Sequence, residues 1–443
     1  MTTSHPDPTL DTLLHNHPTL KKDLQRGLVM GGVALRDIAQ AVGTPCWIID
    51  AGTLRQRAQD MQTAFEAYSL PIDYHFAVKS QDHRACLSLL AQQGWGADVV
   101  SGGELQRALA ANIPAERIVF SGIGKTDDEL KLAITHDIAQ INVESREELY
   151  RLNALASTMK KRARISLRVN PDVDAQTHDK ITTGRAEDKF GIAYNEIHAL
   201  YRHAQREMSG IHLVGLAVHL GSQISTEAPF RQGYTKIAEL IRSLRHEGLT
   251  VEEIDCGGGL GITYRDEIAP PPSMLAHVIN DIFGDMDVHL RIEPGRWLAA
   301  PAGVLLTQVI DTKEGVRKFA IVDAGMNDLV RPAMYDSWHG ILPVGPTSPS
   351  TPIERVDVVG PVCESSDTFA RQRALPSLKR HDILAFLDAG AYGSVMSSTY
   401  NSRPFAAQVM IHEGKWEIIR QRQSLEELMA HERLPQWLSQ TES

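Results

Sequence analysis

Between Tyr74 and Gly295 short apolar runs alternate with longer segments whose apolar positions recur at helical spacing. The short runs are YHFAVKS (74–80), GADVVS (96–101), RIVFSG (117–122), QINVES (140–145), RISLRVN (164–170), LVGLAVHLGS (213–222), EEIDCGG (252–258) and DVHLRIEPG (287–295). Their cores are apolar and β-branched, as strands of a buried parallel sheet should be. Helix starts follow two of them. Ser101 precedes Glu104 by three residues, and Ser145 precedes Glu148 likewise. In such a capping box the hydroxyl satisfies one orphan amide and the carboxylate another. Leu105, Ala108 and Leu109 then give one apolar face, and Leu149, Leu152 and Leu155 a second. The early strands recur every ~21–25 residues, about one βα unit. Eight such units over roughly 230 residues predict an α/β fold built on a (β/α)8 barrel. A doubly wound sheet is the alternative architecture.

After Pro301 the texture changes to short alternating runs, VLLTQVIDT, KFAIVDAG, RVDVVGPVC, DILAFLDAG and FAAQVMIHEGKWEIIRQR, separated by glycine, proline and charged turns. That is the pattern of a C-terminal β domain. The expected division is an N-terminal segment, 1–48, packing on the β domain, a barrel over 49–303 and the β domain over 304–443. PVGPTSPSTP (343–352) reads as a loop.

Composition narrows the function classes. With 42% apolar and 23% charged residues the chain is an ordinary globular protein. A net charge of −10 disfavours generic binding to nucleic acid or an anionic membrane. No apolar run reaches the ~18–20 residues of a spanning helix, and Trp297–Ile310 is broken by Pro301. The first residues lack a basic region followed by an apolar stretch, so no signal peptide is expected. Cys46, Cys86, Cys256 and Cys363 lie far apart, with no CxxC or HExxH spacing. A reducing compartment, the cytoplasm, and no metal site are the expectation.

Barrel enzymes draw their chemistry from the carboxyl ends of the strands. Here those ends carry Lys79, Asp98, Arg168, His219 with Ser222, the glycine turn 257–261, and Glu293-Pro294-Gly295-Arg296. A lysine among Phe76, Ala77 and Val78 loses hydration, so its pKa should fall toward the range of a nucleophilic amine. A Schiff base to a carbonyl cofactor is one use; a lysine reaching solvent from a strand end is the commoner arrangement. Glycine turns after strands seven and eight can bring amides to a phosphate, or can be bare tight turns. Glu293 can keep a pyridine nitrogen protonated or pair with Arg291 or Arg296. His219 can stack on a flat ring or sit satisfied in the core.

Seven motifs occur in order: FAVKS, HLGSQ, DCGGGLG, EPGRW, MNDLVRPAMY, GPVCESSD and DAGAYGSVMSSTYNSRP. Together they resemble the fold-type III PLP-dependent amino-acid decarboxylases, from about residue 25 to about residue 438. The branch most similar is the one acting on meso-2,6-diaminopimelate. The resemblance implies pyridoxal 5'-phosphate on an alanine racemase-like barrel, a C-terminal β domain, and a homodimer with active sites shared across the interface. It implies that Lys79 binds the cofactor covalently, that Asp98 lies beside it, that His219 stacks on the ring, and that Glu293 partners the ring nitrogen. Ser222, Gly259, Gly295 and Tyr392 resemble phosphate ligands, and Arg168, Pro294 and Arg296 join the cofactor-binding set. On the substrate side Arg296, Arg331 and Tyr335, with Tyr392, resemble the clamp on the distal carboxylate, which suits planar guanidinium forks. Glu364 resembles the acceptor of the distal ammonium, contributed by the partner subunit with Cys363, a candidate proton donor.

Three positions depart from the common pattern. Ser80-Gln81 stands where relatives often have Ala-Asn, Ser366 where many have glycine, and Met334 where leucine is common. The implied reaction is decarboxylation of meso-diaminopimelate at its D centre to L-lysine. The alternatives are a decarboxylase of ornithine, lysine or another diamino acid, a silent homologue that binds a partner or PLP, and a PLP racemase. Arg331 with Glu364 argues for the first, because ornithine has no distal carboxylate to clamp.

Overall fold

The computed structural model describes residues 7–15, 17–173, 188–348 and 350–439. They fall into two compact units. The first gathers the described residues up to Pro18, Ala51–Gly303 and Asp388–Val395; the second gathers Thr19–Asp50, Val304–Leu387 and the described residues from Met396 on.

The first unit is a closed parallel barrel. Its strands are β1 (Ile72–Ala77), β2 (Gly96–Val99), β3 (Ile118–Phe120), β4 (Gln140–Val143), β5 (Ala163–Asn170), β6 (Ile211–Ala217), β7 (Glu253–Asp255) and β8 (His289–Ile292). Each pairs with the next, and β8 returns to β1 with Leu290 opposite Ile72. No barrel strand is left with a free edge. A two-residue strand, Ile192–Ala193, extends the sheet beside the carboxyl end of β5. Helices cover the outside, each burying one stripe. The longest, Glu227–His246, turns Phe230, Tyr234, Ile237, Ile241 and Leu244 inward, one residue per turn.

All eight expected strands exist, but only β5 reaches the carboxyl end of its expected run; β2, β3 and β4 stop two residues short, at Val99, Phe120 and Val143. β1 stops at Ala77, and Val78–Ser80 forms a 3-10 turn. β6 stops at Ala217, β7 at Asp255 and β8 at Ile292. After these four the pattern runs on because the turns beyond the ladder are themselves buried. Gly257 shows what this requires: its φ is +66°, and a Cβ there would lie 2.3 Å from the Val218 carbonyl oxygen.

The two capping boxes are half right. Ser101 and Ser145 accept the amides of Glu104 and Glu148. Each glutamate, however, reaches one residue further back, to the amides of Val100 (2.7 Å) and Glu144 (2.9 Å). Reciprocal boxes form instead at Thr126 with Glu129 and Ser424 with Glu427.

The second unit is mostly sheet. Its strands run in the order Thr368–Pro376, Ile353–Val359, Lys318–Val322, Gly303–Glu314, Cys46–Asp50, Ala407–His412 and Lys415–Arg420. Ile383–Phe386 also pairs with Gly303–Glu314, and Ile341–Pro343 pairs with Ile383–Phe386. A smaller sheet joins Leu20–Asp23, Gly27–Met30 and Val33–Ala34.

Candidate functional site

The chemistry of the first unit collects at the carboxyl ends of its strands, around a cavity lined by Lys79, Asn142, Arg168, His219, Asp255 and Glu293, among others. The turn after β1 delivers Lys79, whose Nζ lies 2.7 Å from Asp98 Oδ2 on β2. Asp98 is fully buried, and its second oxygen meets no partner among the described residues. Burial pulls the Lys79 amine down, but the Asp98 carboxylate leads the groups that outweigh it, by its charge and its hydrogen bond, and the amine is held above its ordinary value. The sequence expectation of a depressed lysine is therefore corrected: in the protein alone this amine is an ammonium. Glu104 is a neighbour that the sequence marks only as a helix cap. Burial pushes its carboxyl up to about 7, against the pull of the Val100 amide and Lys79.

Glu293 follows β8 and is buried. Burial, then the Asp255 and Asp98 carboxylates, push its carboxyl well above the usual range, against Lys79. Ser121 after β3 directs its hydroxyl at Glu293 Oε1 (3.4 Å), and Asn142 Nδ2 on β4 donates to that hydroxyl (3.1 Å). Ser121, Asn142 and Asp255 carry no separate sequence signal as candidates. Only the acidic residue before the glycine run could have drawn notice.

His219 lies two residues past β6. Its Nδ1 accepts the Gly258 amide at 3.2 Å. Burial, with the positive charges of Lys79 and Arg168, holds the ring well below its ordinary pKa. The neutral ring then carries its proton at Nε2.

Arg296 is buried after Gly295. Its Nη1 donates to the Tyr264 hydroxyl (2.8 Å), and Nε and Nη2 donate to Ser222 Oγ (3.3 and 2.9 Å). The guanidinium also lies 4.8 Å from the Tyr392 ring centroid. Tyr392 belongs to the returning segment Asp388–Val395, and its amide donates to the Ser80 carbonyl at 2.8 Å. Pro294 accepts the Ala77 amide at 3.2 Å. Among the described residues the amides of Gly259 and Gly295 donate to no protein acceptor. These open amides beside Ser222 and Arg296 suit a phosphate, and the half-satisfied Asp98 suits a group bound at Lys79. The residues present fit pyridoxal phosphate. Arg168 on β5 is fixed by Glu144, whose Oε1 accepts its Nη1 at 2.7 Å and the Gly122 amide at 2.8 Å.

The remaining candidates belong to the second unit. Arg331 and Tyr335 open and close the short helix Arg331–Tyr335, and Arg331 is buried with Nη2 3.2 Å from Ser337 Oγ. Cys363 and Glu364 are exposed on a loop organised by Asp367, whose carboxylate accepts the amides of Val362 and Met326, both at 2.7 Å.

Residues 51–300 match the family described as pyridoxal-dependent decarboxylase, pyridoxal binding domain. The diaminopimelate decarboxylase of Zymomonas mobilis is 44% identical over 415 residues, covering 93% of this chain and 98% of its own. That of Aquifex aeolicus is 41% identical over 399 residues, 90% of this chain and 93% of its own. The crystal structure of Helicobacter pylori diaminopimelate decarboxylase complexed with L-lysine superposes with a TM-score of 0.86 at 38% identity, covering 89% of this chain and 98% of that one.

Proposed function

The chain belongs to the diaminopimelate decarboxylases, a group of pyridoxal-dependent decarboxylases, and from that premise we propose that it converts meso-2,6-diaminopimelate, at its D centre, into L-lysine and CO2. The observation that carries the reading is a single barrel-end cavity holding Lys79, His219 and Glu293, the residues that this chemistry needs. When bound, pyridoxal phosphate supplies an aldehyde for the substrate amine and a ring that accepts the electron pair left by the departing carboxylate.

Each residue then has a task. Lys79 Nζ holds the cofactor, and Asp98 fixes where that nitrogen sits. Glu293 holds a proton at the ring nitrogen. Neutral His219 covers the flat face. Gly259, Gly295, Ser222, Arg296 and Tyr392 bind the phosphate, with Arg168 and Pro294 completing the wall. Arg296, Arg331 and Tyr335 recognise the distal carboxylate. The chain works as a homodimer in which the partner subunit's Cys363 and the partner subunit's Glu364 complete each site, Glu364 accepting the distal ammonium. Support for these last assignments is the match of MNDLVRPAMY and GPVCESSD. Among the described residues no helix is long and apolar enough to cross a membrane, and the four cysteines are free. That supports a cytoplasmic enzyme.

The test is incubation of the purified chain plus pyridoxal phosphate with meso-diaminopimelate, following CO2 and L-lysine. LL-diaminopimelate, L-lysine and L-ornithine run alongside. Release of L-lysine from the meso isomer alone is expected; reaction with ornithine alone overturns the reading.

A further inference from the structure

Behind Glu293 lies a second buried carboxyl, Asp255 at the end of β7. Both line the same cavity, and Asn142 and Ser121 bridge them: Asn142 Nδ2 donates to Asp255 and to the Ser121 hydroxyl, which is aimed at Glu293. Burial raises the proton affinity of both carboxyls, and two buried neighbours of like charge favour keeping one proton. Their partners differ. Asp255 accepts three N–H groups: Gly257 at 2.9 Å, Asn142 Nδ2 at 3.0 Å and Gln140 Nε2 at 3.2 Å. Glu293 accepts one hydroxyl, from Ser121, at 3.4 Å. Gln140 Nε2 also donates to Asn142 Oδ1 at 2.7 Å, an arrangement that turns the Asn142 NH2 toward Asp255 and Ser121. Hydrogen bonds to a charged form favour that form, so the ladder stabilises the carboxylate on Asp255 and leaves the proton with Glu293.

We infer that Asp255 is a positioning residue for Glu293, and that Gln140 and Asn142 hold it as the carboxylate so that the proton required at the cofactor's ring nitrogen is stored on Glu293 before the cofactor arrives. The inference rests on the pyridoxal-dependent reading and deepens it. Asp98 also faces the pair and raises the proton affinity of both carboxyls, while Lys79 lowers that of Glu293. Beside Asp255 are the Cys256 thiol, pushed well above its ordinary range by burial and then Asp255, and the Tyr234 hydroxyl, pushed up by burial, then Cys256 and then Asp255, so both stay neutral.

The test needs neither cofactor nor turnover. Infrared spectra of the cofactor-free protein are recorded against pH for the wild type, Glu293→Gln and Asp255→Asn. The wild type is expected to show a protonated carboxyl persisting above neutral pH. That band should shift in protein grown on carboxyl-13C glutamate and vanish in Glu293→Gln. In Asp255→Asn its midpoint should fall by about one pH unit or more. A band untouched by Glu293→Gln, or an unmoved midpoint in Asp255→Asn, overturns the inference. Should Asp255→Asn not fold, Gln140→Leu, which removes one donor to Asp255, must transfer part of the band from glutamate to aspartate labelling; no transfer overturns the inference equally. A second readout is pyridoxal phosphate affinity, expected to stay level to a higher pH in the wild type than in Asp255→Asn. Because the infrared result uses no substrate, a chain that fails to decarboxylate diaminopimelate leaves it standing, and an active chain without the glutamate-borne band refutes this inference alone.

Discussion

Glu293 meets three carboxyl-rich or basic neighbours, Asp255, Asp98 and Lys79, and its proton is set by all of them. Removing the side chain should cost chemistry more than binding. Glu293→Ala is expected to retain pyridoxal phosphate, seen by its absorbance at saturating cofactor, while CO2 release falls about a hundredfold or more; an unchanged rate contradicts the assigned role. Most of these positions were legible because their motifs are local: a lysine, a glycine run and an EPG turn each announce themselves in five residues. Asp98, 19 residues after Lys79, was legible through the resemblance of its motifs, and the β1–β2 pairing places it beside the lysine. What was not legible is the rest of what closure of the barrel brings together. Asp255 and Asn142 are separated by 113 residues and meet through one hydrogen bond.

At the scale of the strand, the opposite end of the barrel is tied by charge. Arg291 on β8 donates to Asp73 on β1 at 2.9 Å, to His75 Nε2 at 3.1 Å and to Glu253 on β7 at 3.2 Å. Arg164 on β5 also pairs with Glu253. Arg291 is buried, so Arg291→Leu strands carboxylates without their partner and should cost about 3 kcal/mol in urea unfolding. His75 gives the strand set its acid sensitivity. Burial, then the Arg291 charge, push its ring down to about 3. In the unfolded chain the ring titrates near ~6.5, so below that pH the unfolded state gains a proton that the folded state refuses. Stability should therefore fall by about 1.4 kcal/mol per pH unit for this group as pH drops from ~6.5 toward the folded value. Urea midpoints at pH 7 and pH 5 should differ less in His75→Gln than in the wild type. The strands themselves were readable from apolar runs, but not their ends, because buried turns after β1, β6, β7 and β8 continue the same pattern. Cys46–Asp50 was not recognised as a strand, since its partners, such as Ile48 opposite Val409, lie more than 350 residues away. Ile341–Pro343 is too short to show a period.

For the whole molecule the proposal of shared sites has a direct consequence. Lys79→Ala and Glu364→Ala dimers, each inactive alone, should on mixing and subunit exchange recover about a quarter of wild-type activity, because half the dimers are hybrids with one intact site. Assay of the mixture checks this; no recovery means that each site is built from one chain.

The returning segment Asp388–Val395 carries Tyr392 back to the barrel, where its amide meets Ser80. During synthesis the ribosome must therefore add about a hundred residues after β8 ends at Ile292 before Tyr392 exists to make this contact, on the order of ten seconds at ordinary elongation rates. A nascent barrel spends that interval without the Ser80–Tyr392 contact, and a chain cut short after Gly303 would never form it.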